Sequence, residues 1–145
     1  MEFLNKEATI IFCELLNRLQ TGSIKIYNNP YAPLSMKLVG VGIQTRWDVT
    51  NVYSLRHDYE HNEIMIQLPE ICFLVTDNWK RFADDLDKMK IAPFMYQQVN
   101  LGIYHNSIKF KNSKLSSYLP KRQKQQTELA TTWLQNIREQ GFLIS

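Results

Sequence analysis

A chain of 145 residues that is 44% hydrophobic and 21% charged, with three Trp, seven Tyr and seven Phe, is sized and composed for one globular domain spanning 1–145. That balance excludes disorder of the whole chain, and no run approaches the ~18 consecutive apolar residues of a membrane-spanning helix. The formal charge of +3 is too small to argue for nucleic acid by itself, but it is unevenly spread: from 91 to 127 there is no acid, while Lys109, Lys111, Lys114, Lys121, Arg122 and Lys124 all fall there.

The opening "MEFLNKEATIIFCELL" mixes charges into its apolar pattern, where a secretory signal would carry a clean apolar block. A soluble, cytoplasmic protein is expected. Cys13 and Cys72 lack CxxC partners and sit among apolar neighbours, so both are expected to be reduced core thiols.

In chain order, Leu4, Ala8, Ile11, Phe12, Leu15, Leu16 and Leu19 recur at helical spacing and predict an amphipathic helix over 3–20, stopped by Gly22. "SIKIY" alternates as a strand, "NNPYAP" breaks the chain, and "MKLVGVGIQTRW" resumes as β structure with Gly40 and Gly42 marking a bulge or a close backbone approach. "GVG" lacks the third glycine and the helix start of a dinucleotide fingerprint. A hairpin is predicted over 53–68, then a buried strand in "EICFLVT". Thr76 or Asp77 is placed to cap a helix over "NWKRFADDLDKM", although its late aspartates oppose the helix dipole. Pro93 is expected to end that helix. "FMYQQVNLGIYHNSIKF" predicts a second hairpin turning at "HN", with a short helix over 95–100 as the alternative. Pro120 opens a final helix to about Gln140, with Leu129, Ala130, Trp133, Leu134 and Ile137 on its apolar face and Gly141 beyond it. The sum is an α+β domain: an antiparallel, twisted sheet of about five strands, with the N- and C-terminal helices packed on one face.

The 53–71 stretch "YSLRHDYEHNEIMIQLPEI" gathers two histidines, one aspartate and three glutamates. Strand alternation divides them. Tyr53, Leu55 and His57 point to an apolar face, which leaves His57 partly buried and hydrogen-bonded in the core or under a helix. Arg56, Asp58, Glu60 and Glu63 point to the wetted face, where Arg56 can offset one acid. Asp58, Glu60 and Glu63 are thus the candidate carboxylates for a divalent metal or for hydrolysis. No HExxH, HxH or DxD motif supports them, and no metal or cofactor is assigned. Glu70, beyond the Pro69 break, is placed to accept from backbone amides.

The acid-free stretch ending in "KRQKQQ" makes a plausible phosphate-facing surface, with Tyr104 and Tyr118 nearby as stacking groups. A charged edge strand and a polar helix start would account for the same residues. Trp133, Leu134 and "GFLI" also suit a homodimer interface, although core packing explains them as well.

"YEHNEIMIQLPEI" (59–71) and "YQQVNLGIY" (96–104), followed by a helix bearing Trp133, resemble a small bacterial domain family of unknown function met on plasmids and other mobile elements. The family pattern is Y-E-Q-N-G-D-x-M-x-D-P-E, then Y-Q-Q-D-x-L-G-I-Y. Here its N-G turn is N-E, and its aspartates are replaced by Ile64, Leu68 and Val99. If those aspartates form a catalytic set, this chain lacks it. The resemblance implies a mobile-element accessory protein and supplies no activity. The expectation is a non-enzymatic interaction protein whose partner is a protein or nucleic acid and which does not engage a membrane. Its contact surface is the basic segment 109–124. The alternative is a metal-assisted hydrolase or nuclease using Asp58, Glu60 and Glu63.

Overall fold

The computed structural model describes residues 1–58, 69–82 and 84–144. Asn5 opens the first helix: its side-chain oxygen accepts from the N–H of Ala8 at 2.9 Å, and α1 (Lys6–Leu16) follows. The helix is shorter than the predicted 3–20. Ahead of it, Leu4 is drawn onto the sheet, where its N–H donates to the carbonyl of Ile91 at 2.9 Å.

Among the described residues, eight strands lie between α1 and the second helix: β1 (Ser23–Asn28), β2 (Tyr31–Gln44), β3 (Val49–His57), β4 (Glu70–Thr76), β5 (Ile91–Gln98), β6 (Ile103–Asn106), β7 (Ile108–Lys111) and β8 (Lys114–Tyr118). They form one sheet in the order β6-β5-β4-β3-β2-β8-β7, with β1 paired to β2. The α+β class holds, and the expected five strands are corrected to eight. Pairing is antiparallel except between β2 and β8, which meet in parallel at Gln44 and Lys114. Gly40 and Gly42 coincide with register shifts against β3, as their spacing suggested, and Gly42 has a φ of +71°.

The sheet's two end strands, β6 and β7, are consecutive in the chain and separated by Ser107. The Ser107 N–H donates to the Phe94 carbonyl at 2.9 Å, and its own carbonyl accepts from the Leu119 N–H at 2.8 Å. One bent stretch therefore reaches both β5 and the end of β8, and the sheet curls towards closure.

Alternation along the central strands separates two cores. Ile71, Phe73 and Val75 join Leu34, Met36, Leu55 and Ile91 in a cluster with Ile11, Phe12 and Leu15 of α1. Ala130, Leu134 and Ile137 of α2 (Pro120–Glu139) belong to the same cluster, and the Phe12 and Phe73 rings lie 4.7 Å apart. Cys72, Leu74, Phe94 and Ile108 form the second cluster, with Trp47, Leu115 and Tyr118 packed against it.

α2 matches its predicted span and is followed by Gly141 at φ +90°. Its first turns are not simply solvated. In "KRQKQQ" the cations are exposed, whereas Gln123 and Gln126 are buried. Gln123 Nε2 donates to the carbonyls of Glu2 (2.8 Å) and Pro93 (3.0 Å), and Oε1 accepts from the Glu2 N–H at 2.8 Å.

Three expectations are corrected. The helix over 78–89 is replaced by two short 3-10 turns, Trp79–Phe82 and Leu86–Lys88. Asp77 spends its side chain on the adjacent Asn78 N–H and on Asn51, and Asn78 turns left-handed at φ +53°, so no helix start is capped. Pro93 lies inside β5, tolerated where the β4 register shifts between Cys72 and Phe73. The second hairpin turns at Val99–Leu101 and Gly102 rather than at "HN", because Gly102 supplies the left-handed residue (φ +67°). A further hairpin, β7–β8, turns through Asn112 and Ser113 (φ +53° and +59°).

Candidate functional site

The six predicted cations occupy two adjoining elements. Lys109, Lys111 and Lys114 stand on the β7–β8 hairpin, and Lys121, Arg122 and Lys124 on the first turns of α2; all six are exposed. Ile108 and Leu115 belong to the second core and Phe110 packs edge-on to Phe94 at 5.3 Å, so alternation leaves the hairpin lysines outside. Lys111 and Lys114 are cross-strand partners at the turn, a like-charge pairing that costs a few tenths of a kcal/mol unless an anion intervenes. None of the six forms an ion pair among the described residues.

Arg122 ties the two elements together by donating through Nη1 to the Asn106 carbonyl at 3.3 Å. Asn106 and Lys109 in turn line a groove of about 410 Å³ that continues over Ser117, Tyr118 and Leu119. Of the suggested stacking groups, Tyr104 is exposed on β6, whereas Tyr118 packs against the second core and accepts from the N-terminal ammonium at 2.8 Å.

The described members of the 53–71 cluster divide as alternation requires. His57 lies beneath the C-terminal region, 5.6 Å from the Trp133 ring and 5.5 Å from that of Phe142, and its Nδ1 is 3.0 Å from the Ala32 carbonyl. Burial pushes its imidazole below the ordinary 6.5, against the smaller upward pull of the Ala32 and Pro33 carbonyls and of Asp58. On the other face, Arg56 Nε forms an ion pair with Asp58 Oδ1 at 2.8 Å, Ser35 donates to Oδ2, and Lys25 Nζ lies 3.9 Å from the same oxygen. Glu60 and Glu63 lie outside the described residues. Among the described residues no group of three His, Cys, Asp or Glu side chains could hold a metal.

Glu70 was expected to accept from backbone amides. Instead it begins β4 and accepts from two side chains, Ser54 Oγ at Oε2 and Gln97 Nε2 at Oε1. Burial, aided by the Glu70 charge, pushes the neighbouring Cys72 thiol up to about 12.

Cross-strand register reveals a polar row that sequence reasoning missed. Lys25, Ser35, Arg56, Glu70 and Gln97 are successive partners across β1 to β5. Lys37 and Ser54, partners in the neighbouring row, share their face, and all of these groups but Gln97 line a cleft of about 310 Å³. Each lies on an outward position of its own strand, which was a usable signal. Which residues stand side by side is set by pairing, which local sequence does not encode.

These features define a class: a curled, mostly antiparallel α+β sheet domain with a basic outer edge and a polar cleft on the sheet. Residues 7–143 match the family model described as "Domain of unknown function (DUF6908)", and the chain belongs to that family. No curated protein and no solved structure matches the chain. No described helix is long and apolar enough to cross a membrane.

Proposed function

We propose that this domain is a non-enzymatic binding protein that takes nucleic acid on the basic surface formed by Lys109, Lys111, Lys114, Lys121, Arg122 and Lys124. The observation that carries the reading is the facing of Lys111 and Lys114 across a tight turn, on a surface that no acid of the 91–127 stretch neutralises. Phosphates supply the countercharge such a surface lacks. The groove at Asn106, Lys109 and Leu119 offers a place beside it for a base or sugar. This role suits a cytoplasmic, mobile-element accessory protein, the setting that the motif resemblance implies.

The test is retention on heparin and on a DNA oligonucleotide at increasing salt. The wild type should bind with a steep salt dependence. Lys121→Ala, Arg122→Ala and Lys124→Ala together should lower the logarithmic slope by about one for each phosphate contact removed. Identical elution of wild type and triple variant at low salt would end the proposal.

The metal-assisted hydrolase has less support, because Asp58 already has Arg56, Ser35 and Lys25 around its carboxylate. Calorimetric titration with Mn²⁺ that produces heat in the wild type, and none in Glu60→Ala, would reinstate it.

A further inference from the structure

We infer that the cleft on the β1–β5 face is a second binding site, for a small organic oxyanion received by Arg56 and Lys37. The argument is an inventory of donors and acceptors. All four carboxylate oxygens of Asp58 and Glu70 already face protein donors: Arg56 Nε on one, Ser35 and Lys25 on the second, Gln97 on the third and Ser54 on the fourth. Both carboxylates of the face are thereby engaged.

Donors remain. Among the described residues the two terminal guanidinium nitrogens of Arg56 make no hydrogen bond, and the ammonium of Lys37 has neither a hydrogen-bond nor an ion-pair partner. Among the described residues the charged groups that line the cleft, Lys25, Lys37, Arg56 and Glu70, together with Asp58 beside them, carry three positive charges against two negative. A face whose carboxylates are engaged and whose cations keep donors to spare selects a ligand rich in acceptors and disfavours a metal cation.

Geometry favours the same ligand. Asp58, whose side chain is only 19% exposed, anchors the Arg56 guanidinium by an ion pair at Nε and leaves its two terminal nitrogens for a ligand. A held fork recognises a carboxylate or phosphate through two parallel hydrogen bonds. Both Arg56 and Lys37 stand on paired strands, so their spacing is set by the sheet. At about 310 Å³ the cleft has room for an organic body beyond the anionic group, at the lower end of small-molecule sites.

The test is a titration followed by ¹H–¹⁵N NMR of the arginine Nε–Hε resonances, with inorganic phosphate in one arm and acetate in the other, at ionic strength held constant with chloride. The Arg56 resonance should shift saturably in at least one arm, and the tighter arm tells phosphate ligands from carboxylate ones. Arg56→Lys keeps the charge but not the fork and should weaken binding about tenfold. Lys37→Gln, which breaks no described contact, should also weaken it while leaving the melting temperature and heparin retention unchanged. Non-saturating shifts in both arms, or equal affinity in wild type and Lys37→Gln, would overturn the inference. So would saturation confined to resonances of the basic segment 109–124.

Discussion

Arg56 and His57 are neighbours on β3 that face opposite worlds. His57 is held between the Ala32 carbonyl and the rings of Trp133 and Phe142, where burial penalises its charge by more than the carbonyl returns. Arg56 lines a cleft with Lys25, Lys37 and Glu70, its own Nε paired with Asp58. The two faces of the same strands do different work: one buries Leu55, Ile71 and Phe73 with the helices, and the other gathers Ser54, Arg56 and Glu70 into a polar patch in which Ser54 donates to Glu70. Burial on one side fixes the register that places the polar groups on the other, since a slip of one residue would exchange the faces.

Four measurements test that division, taken from the largest effect to the smallest. Phe73 is fully buried against Phe12, so Phe73→Ala should cost about 3–5 kcal/mol in urea unfolding. Ser54→Ala strips one donor from Glu70 Oε2 on the polar face and should cost about 1–3 kcal/mol. If the serine change proves the costlier, the polar row rather than the apolar face organises the sheet.

A smaller, pH-dependent effect belongs to His57. Its folded value lies below the ordinary 6.5, so the unfolded chain binds the proton more readily. The stability from keeping it neutral is therefore complete above the unfolded value and is lost as pH falls towards the folded one. Melting temperatures taken between about pH 5 and pH 7.5 should fall on the acid side, and His57→Gln should flatten that slope. Last, burial pushes the Cys13 thiol up to about 11 and Cys72 to about 12. Both should react with a disulfide reagent far more slowly in the native protein than in urea, with no change in stability.

Both helices were legible because their apolar residues repeat at helical spacing and their ends carry local signals, Asn5 before α1 and Pro120 and Gly141 around α2. The inward turn of His57 was legible from alternation alone. The 78–89 region was not: Trp79, Phe82 and Leu86 share helical spacing, yet Asn78 and the spent Asp77 side chain deny the segment a start. The strand count failed where turns lack the expected residue, as at Ser107, which divides β6 from β7 through hydrogen bonds to distant partners. Of the candidate site, the basic residues could be named from sequence but not their union through Arg122 and Asn106. The polar row eluded the sequence because it is assembled from five strands spanning residues 25 to 97.

The parallel contact of β2 with β8 rests on one register pair, Gln44 with Lys114, and on the Gln44 N–H donating to the Ser113 carbonyl at 2.9 Å. β2 and β3, by contrast, are joined over most of their length. The curl of the sheet therefore has a seam, and a seam held by so few bonds opens before the sheet does. The amide of Gln44 should exchange its hydrogen with solvent well ahead of those in β3 and β4, which makes it a reporter of breathing motions that part the basic hairpin from the rest of the domain.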